Sequence, residues 1–322
     1  MIPCVSPYKI PALGFGTYQL KGADAVQAVC TALQTGYRLI DTAAVYRNEK
    51  EVGEGIRASG VAREALFIVV KIAMKTMGSV QTIQEGILGS LANLQLDYAD
   101  CVLLHWPGCG GKKPEEEAAH QAARRDCWRV LLQLQEEEKV RYMGVSNFLP
   151  RHFKEIDEVV AACGGGDTPV RGPILNQIEL HPLCVQADVA AYCQPRRIQL
   201  QQYSPLGKSD PTLVQNKKLL EITQTHFSSP PLTVFDVLLM YGLAQGYSTL
   251  VRSAKEEHIR RNHAAAVLYF RSVDSVRHPA ADKTADDEAL LSAEQLDILS
   301  NLREHMNVTE DVHLCWYSSE VL

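Results

Sequence analysis

The sequence predicts a (β/α)8 barrel, also called a TIM barrel, from three observations. Short apolar runs recur along the chain, as in strands of a parallel sheet that is buried on both faces. Segments with apolar residues at helical spacing separate these runs, and 322 residues suffice for one such barrel. Three of the runs end in a titratable residue: Asp41, Lys71 and His105. Because the carboxyl ends of barrel strands face the active site, we expect these three side chains at one mouth.

The predicted strands and helices alternate along the chain. The strands are Pro11–Tyr18, Arg38–Asp41, Phe67–Lys71, Ala99–His105, Arg141–Ser146, Ile174–Glu179, Ile198–Tyr203 and Ser248–Val251. The helices are Ala23–Gly36, Asn48–Gly60, Val80–Leu94, Glu115–Glu138, Pro150–Ala162, Leu219–Thr223, Leu232–Gly242 and one that begins at Lys255–Asn262. Gly36 suits the position after a helix end, and Asn48 suits an N-cap.

The C-terminal part has a different pattern. We expect one domain over residues 1–322, with the barrel over about residues 8–266 and a C-terminal insertion and tail over residues 267–322. The polar stretch Arg271–Asp287 is predicted to be a mobile insertion. Ser292–Gln295 has the pattern of a capped helix start.

A doubly wound open sheet is the rival fold. That fold usually carries a glycine fingerprint between its first strand and first helix. The segment Gly14–Gln19 lacks the third small residue of the fingerprint. Gly53–Ala58 matches it but lies inside a predicted helix, which is the wrong context. The barrel is therefore the favoured fold.

Composition and charge exclude several classes of function. The net charge of −6 offers no general attraction for nucleic acid or an anionic membrane, and no run approaches the roughly 18–20 apolar residues of a membrane helix. The first residues lack a secretory signal pattern, and the nine cysteines form no C-x-x-C pair, so we expect a cytoplasmic protein without disulfides.

His181, His258 and His263 lack the spacing of metal ligands, and no coiled-coil seam is present. We therefore expect no metal and a monomer.

The strand ends suggest proton-transfer chemistry. Tyr46 follows Asp41 by five residues, on the loop that leaves the same strand. Lys71 would favour the phenolate and so lower the pKa of Tyr46, and Asp41 would keep Lys71 charged. His105 could hydrogen-bond a substrate oxygen. Protonation of an oxygen suits carbonyl reduction, for which a nicotinamide cofactor would supply the hydride.

Six motifs follow one another in order along the chain: Gly14–Thr17, Gly36–Ala43 with Tyr46, Leu104–Pro107, Gly144–Phe148, Asn176–Pro182 and Tyr203–Gly207. Through these motifs the chain resembles the aldo-keto reductases over nearly all of residues 8–262. The resemblance implies that Tyr46 is the general acid and that Lys71, Asp41 and His105 complete a catalytic tetrad.

The resemblance also implies binding residues. Ser146, Asn147 and Gln177 would bind the nicotinamide carboxamide, and Tyr203 would stack on the ring. The other implied cofactor residues are Gly16, Thr17, Asp41, Ser204, Leu206, Arg252, Ser253, His258 and Asn262. Arg252 can pair with a phosphate, but His258 stands where the family has an Arg, so NADPH is expected and NADH is possible.

The substrate pocket is implied in the same way. Tyr18, His105, Trp106 and the C-terminal segment would line it, while the 108–117 loop, the 207–231 segment and the tail with Trp316 would set specificity. We therefore expect NAD(P)H-dependent reduction of aldehydes or ketones, or alcohol oxidation by the same residues in reverse. The alternative is a nucleotide-binding regulatory or scaffolding subunit with little turnover, since the resemblance includes channel-associated subunits.

Overall fold

Eight parallel strands form one closed barrel, with neighbours in sequence order, as the sequence predicts. The computed structural model describes residues 2–163, 170–225, 231–277 and 290–315. The strands are β1 (Leu13–Gly16), β2 (Leu39–Asp41), β3 (Phe67–Ile72), β4 (Ala99–Leu104), β5 (Val140–Ser146), β6 (Pro173–Glu179), β7 (Gln199–Tyr203) and β8 (Ser248–Val251). Leu13 lies opposite Thr249 and Phe15 opposite Val251, and this pairing of β1 with β8 closes the barrel.

Helices surround the barrel and continue beyond it. They are α1 (Gly22–Thr35), α2 (Glu49–Ala58), α3 (Val80–Leu94), α4 (Glu117–Glu136), α5 (Lys154–Ala162), α6 (Ala187–Cys193), α7 (Pro211–Val214), α8 (Lys217–Gln224), α9 (Val234–Ala244), α10 (Glu256–Arg277), α11 (Ala293–Ser300) and α12 (Leu302–His305). Helix α6 is not predicted from the sequence, because its seven residues are too few to show a helical period. The capped start predicted at Ser292 is confirmed, because its hydroxyl accepts from Gln295 N.

The predicted mobile insertion does not begin at residue 271, because residues 271–277 continue the last helix of the barrel. Helix α10 continues to Arg277, so residues 271–277 are helical. Ala265 and Ala266 are buried, and Tyr269 and Phe270 pack against the core, which anchors this part of the helix. The rest of the predicted insertion, residues 278–287, lies outside the described residues.

The alternation of side chains along each strand explains why the polar strand ends meet. Leu39, Val69, Leu103 and Leu175 belong to one small buried cluster formed by alternate strand residues. Successive residues of a strand point to opposite faces, so the residue two positions later faces the same way. On β2, β3 and β6 that residue is Asp41, Lys71 and Gln177, and beyond β4 it is His105. The polar residues therefore continue the apolar interior of the barrel toward its carboxyl end.

The glycines of α2 allow close helix packing. A Cβ atom at Gly53 would overlap the backbone of Leu94 at the end of α3, and one at Gly55 would approach the Val26 carbonyl of α1 within 2.7 Å. Both lie inside the helix, so the interpretation that Gly53–Ala58 is not a phosphate-binding turn agrees with their placement.

Asn48 occupies the predicted N-cap position of α2, where its carbonyl accepts from Val52 N at 2.9 Å, but its side chain makes no capping bond. Instead, Asn48 Nδ2 donates to the carbonyls of Thr17 at 2.8 Å and Leu20 at 2.9 Å. Since Asn48 is 1% exposed, these bonds satisfy its buried amide nitrogen and fasten the loop after β1 to the start of α2.

The N-terminal residues form an antiparallel turn that the sequence analysis does not predict. The backbones of Cys4 and Pro11 form an isolated antiparallel β-bridge, and Ile10 within the turn is fully buried. Ile10 belongs to the same cluster as Leu39 and Leu103, so the turn contributes to the barrel interior. Within the described ranges, no helix is both long enough and apolar enough to cross a membrane.

Candidate active site

Four predicted catalytic side chains lie together at the carboxyl end of the barrel. Lys71, on β3, forms an ion pair with Asp41, the last residue of β2. Lys71 Nζ also lies 3.2 Å from the phenol oxygen of Tyr46, on the 3-10 turn after β2. The ring centroids of Tyr46 and His105 are 5.9 Å apart. The carboxylate of Asp41 thus contacts the ammonium of Lys71, which contacts the phenol of Tyr46, and the imidazole of His105 lies beside the phenol.

The positive charge of the buried Lys71 is stabilised by its neighbours. Burial opposes the charge of Lys71, but the charge of Asp41 and hydrogen bonds to Asp41 and Tyr46 raise the pKa of Lys71 above its ordinary value. Lys71 is 1% exposed and Asp41 is 3% exposed, so little water screens the pair. Lys71 therefore carries its positive charge at neutral pH.

The pKa of Tyr46 shifts upward, against the sequence-based expectation. Lys71 lowers the pKa as expected, but burial has the larger effect and raises it. The phenol consequently holds its proton at neutral pH, which is the state that a general acid needs. The sequence analysis considered the charge of Lys71 but not the burial of Tyr46.

His105 is neutral in this environment. Burial, followed by the nearby charge of Lys71, lowers its pKa to about 3. Its backbone is fixed by Asn147, whose Nδ2 donates to the His105 carbonyl at 3.1 Å. A neutral imidazole with a held backbone can donate a hydrogen bond without competing for the proton of Tyr46.

The residues predicted to bind the carboxamide lie at adjacent strand ends. Ser146 Oγ donates to the Gln177 carbonyl at 2.8 Å, and the amide of Asn147 contacts both Ser146 Oγ and His105. The hydroxyl of Tyr203 donates to Asn147 Oδ1 at 2.9 Å. Gln177 Oε1 is left without a donor among the described residues. An open acceptor beside an aromatic ring and amide-recognising side chains fits a carboxamide.

The remaining predicted cofactor residues lie around this end of the barrel. Thr17 Oγ1 donates to the Asp41 carbonyl at 2.9 Å, which ties the loop after Gly16 to β2. Ser204, with φ of 51°, begins the turn after β7, and Leu206 in the same turn packs against the core. These contacts fix the loops after β1 and β7 at the carboxyl end of the barrel.

The predicted phosphate-binding residues follow β8. Arg252 is exposed and donates to the Tyr18 carbonyl at 2.8 Å and to Gln19 Oε1 at 2.6 Å. His258 Nδ1 lies 3.5 Å from Ser253 Oγ, near the start of α10. Asn262 is buried on the same helix at 8% exposure. Arg252 is therefore already anchored to the loop after β1.

Two of the predicted substrate residues border the tetrad. The ring centroid of Tyr18 lies 5.1 Å from that of Tyr46, and Tyr18 is 38% exposed. The Trp106 ring lies nearly parallel to that of His105. Trp316 lies outside the described residues. Across the part of the chain that is described, no group of three or more His, Cys, Asp or Glu side chains is arranged to hold a metal ion.

The C-terminal segment 311–315 reaches the site through Glu179, a role that the sequence analysis missed. Glu179 accepts from Leu314 N at 2.7 Å and lies 3.1 Å from His181 Nε2 and 3.2 Å from His313 Nδ1. Burial alone would raise the pKa of Glu179, but the hydrogen bonds from His181 and His313 lower it to about 2. The only sequence signal was the polar end of β6.

The closed barrel and the polar cluster at its mouth place the chain among the (β/α)8-barrel enzymes. The sequence model of the Aldo/keto reductase family matches residues 12–276. The chain therefore belongs to this family of oxidoreductases.

Individual relatives agree with that membership. The chain is 37% identical to a glyoxal reductase of Bacillus subtilis over 255 residues, which cover 79% of this chain and 82% of the relative. It is 31% identical to a glycerol 2-dehydrogenase (NADP(+)) of Saccharomyces cerevisiae over 291 residues, which cover 85% and 89%. The crystal structure of MGS-M4, an aldo-keto reductase from a Medee basin deep-sea metagenome library, superposes with a TM-score of 0.72 at 28% identity, covering 96% of this chain and 97% of that chain.

Proposed function

We propose that this protein reduces aldehydes or ketones to alcohols with NADPH, and that Tyr46 is the general acid. The observation that carries the proposal is that Asp41 contacts Lys71, Lys71 contacts Tyr46, and Tyr46 lies beside His105 at the barrel mouth. It supplies one proton donor, one fixed cation and one neutral hydrogen-bond donor, which are the groups that a carbonyl oxygen needs as it gains negative charge.

Each side chain has a distinct part in the proton transfer. Tyr46 gives its proton to the substrate oxygen, and the ammonium of Lys71, 3.2 Å away, stabilises the phenolate that remains. Asp41 keeps Lys71 charged and oriented. His105 donates a hydrogen bond to the same substrate oxygen and thereby orients it. A bound nicotinamide would supply the hydride to the carbonyl carbon.

The cofactor would lie with its carboxamide at Ser146, Asn147 and Gln177 and its ring against Tyr203. The yeast relative is named as an NADP(+) enzyme, which supports NADPH here. Arg252 follows β8 and would pair with a cofactor phosphate, while His258 stands where the family resemblance implies a second permanent charge. Michaelis constants for NADPH and NADH test this choice, and a lower value for NADH would reverse it.

The substrate class remains broad. The Bacillus relative is named a glyoxal reductase and the yeast relative a glycerol dehydrogenase, so small carbonyl compounds and the reverse oxidation are both supported. Tyr18 and Trp106 would border the bound substrate. A panel of aldehydes, ketones and dicarbonyls with both cofactors would narrow the class. The monomeric state and the cytoplasmic location stay predictions from the sequence.

Replacement of Tyr46 tests the assignment of the acid. Tyr46→Phe removes the transferable proton while keeping the ring, so we expect turnover to fall by roughly a hundred-fold or more. Cofactor affinity, measured by titration with NADP+, should stay close to that of the wild type. NADPH consumption with 4-nitrobenzaldehyde gives the rate. Unchanged turnover would refute the role of Tyr46, and cofactor binding without turnover in the wild type would favour the regulatory subunit.

A further inference from the structure

A line of buried hydrogen bonds crosses the barrel from the tetrad to the start of β1. Gln177 Nε2 donates to both Asp41 Oδ2 and Gln201 Oε1, each at 2.7 Å. Gln201 Nε2 donates to Ser248 Oγ at 3.0 Å, and Ser248 Oγ donates to the Pro11 carbonyl at 2.8 Å. Gln201 and Ser248 are fully buried, and Gln177 is 3% exposed. We call this line the interior hydrogen-bond chain.

The two ends of the interior hydrogen-bond chain fix the direction of every hydrogen bond in it. The Pro11 carbonyl can only accept, so Ser248 gives it the hydroxyl proton and must accept from Gln201. The Gln201 nitrogen therefore faces Ser248, and its oxygen faces Gln177. At the other end, the Asp41 carboxylate also accepts only, so the Gln177 nitrogen serves both neighbours. Neither amide can be reversed without breaking a bond.

The consequence is a fixed direction for the remaining atom of Gln177. Both protons of its amide nitrogen are committed, one to Asp41 and one to Gln201. Its Oε1 atom is an acceptor that no described residue engages. A carboxamide offers both an oxygen and an NH2 group, and only the NH2 group needs an acceptor of this kind.

We infer that Gln201 and Ser248 are positioning residues, which hold the Gln177 amide so that its oxygen accepts from the carboxamide NH2 group of the nicotinamide. This inference rests on the proposed function, because it requires a bound nicotinamide. Gln201 and Ser248 are fully buried and act only through Gln177. Neither belongs to the residues that the family resemblance implies.

The test compares two dinucleotides that differ at the carboxamide. The 3-acetylpyridine analogue of NADP+ keeps the carbonyl oxygen but replaces the NH2 group by a methyl group. We measure the dissociation constants of both dinucleotides by calorimetric titration, so that no turnover is needed. A single hydrogen bond of this type should make the wild type bind NADP+ roughly ten-fold more tightly than the analogue.

The variant Gln201→Met removes the acceptor that holds the Gln177 amide. We expect the roughly ten-fold preference for NADP+ to fall to about two-fold or less, because the amide can then rotate away. Ser248→Ala should shift the preference in the same direction. Ser248→Thr keeps the hydroxyl and should restore the preference of the wild type.

The matched control is Gln202→Met, one residue further along β7. Gln202 is also fully buried, but it donates to the Leu180 carbonyl at 2.7 Å and accepts from Thr249 Oγ1 at 2.9 Å. The variant Gln202→Met therefore loses as many hydrogen bonds as Gln201→Met does, but none of them involves Gln177. The preference of Gln202→Met for NADP+ should therefore equal that of the wild type.

The possible results separate this inference from the proposed function. If the wild type binds neither dinucleotide, the proposed function fails and the inference fails with it. If the wild type binds both with the expected preference, and Gln201→Met keeps that preference, only the inference is wrong. Equal loss of preference in Gln201→Met and Gln202→Met would also overturn it, because general destabilisation of β7 would then be the cause.

Discussion

At the scale of single residues, burial and neighbouring charges act in opposite directions on Tyr46 and Lys71 but in the same direction on His105. Burial raises the pKa of Tyr46 more than Lys71 lowers it. Burial also lowers the pKa of His105, and Lys71 adds to this effect, so the value is about 3. The pKa of Tyr46 therefore lies above its ordinary value of about 10 and that of His105 well below its ordinary value of about 6.5. Each of these two groups keeps one protonation state across the physiological range.

This shift predicts the pH dependence of the reaction. The general acid is active when protonated, and burial raises the pKa of Tyr46 above its ordinary value of about 10. The ratio kcat/KM for reduction should therefore stay level from about pH 5 to about pH 9 and decline only at more alkaline pH, as Tyr46 loses its proton. Initial rates in buffers of constant ionic strength give the profile. A break near pH 6.5 that disappears in His105→Gln would show that the imidazole titrates, which contradicts the neutral role assigned to it.

At the scale of elements, the spacing between α2 and its neighbours depends on a glycine. A Cβ atom at Gly53 would meet the backbone of Leu94, which cannot rotate away. We expect Gly53→Ala to destabilise the protein by roughly 1–3 kcal/mol, because α2 and α3 must separate. The matched control is Gly89→Ala on α3, where nothing lies near the added atom and helix propensity should stabilise by up to about 1 kcal/mol. Urea unfolding measures both, and equal effects would contradict the packing argument.

The elements also show how far the sequence alone can lead. Apolar runs with polar ends predict where the strands stop, and this locates Asp41, Lys71 and His105 because burial and chain exit are local properties. The N-cap position of Asn48 was predicted, but its side-chain partners were not, because the carbonyls of Thr17 and Leu20 lie about 30 residues away in sequence. The role of Gln201 depends on Gln177 and Ser248, which lie on the two neighbouring strands. Only the folded barrel reveals such contacts.

At the scale of the whole molecule, barrel closure brings the two ends of the chain to the same site. Arg252, which follows β8, donates hydrogen bonds to Tyr18 and Gln19 in the loop after β1. These partners precede it in the sequence by 234 and 233 positions. The C-terminal segment 311–315 is held on the barrel by Glu179 and by Asp311, which accepts from Val185 N at 2.8 Å. Lys208, in the turn after Tyr203, donates to the Cys315 carbonyl at 3.3 Å. This segment is thus connected to the predicted cofactor loop.

The attachment of that segment should depend on pH through His313. The hydrogen bond to Glu179 raises the pKa of His313, while burial opposes it and the charges of Glu179 and Asp311 add to the rise. A histidine with a raised pKa contributes stability that is complete below its unfolded value of about 6.5 and is lost as pH rises through the folded value. The segment should therefore be held more tightly at acidic than at alkaline pH.

Amide hydrogen exchange measures this attachment directly, since Val312 N and Leu314 N bond to the Leu183 carbonyl and to Glu179. We expect protection of residues 311–315, corrected for intrinsic exchange rates, to fall by about five-fold or more from about pH 6 to about pH 9, because hydrogen bonds to charged groups contribute about 1.5–3 kcal/mol. In His313→Gln the protection should be low and nearly independent of pH. His305→Gln, at an exposed histidine of α12, should behave as the wild type. If His313→Gln retains the pH dependence of the wild type, Glu179 and His313 do not control how the C-terminal segment is held.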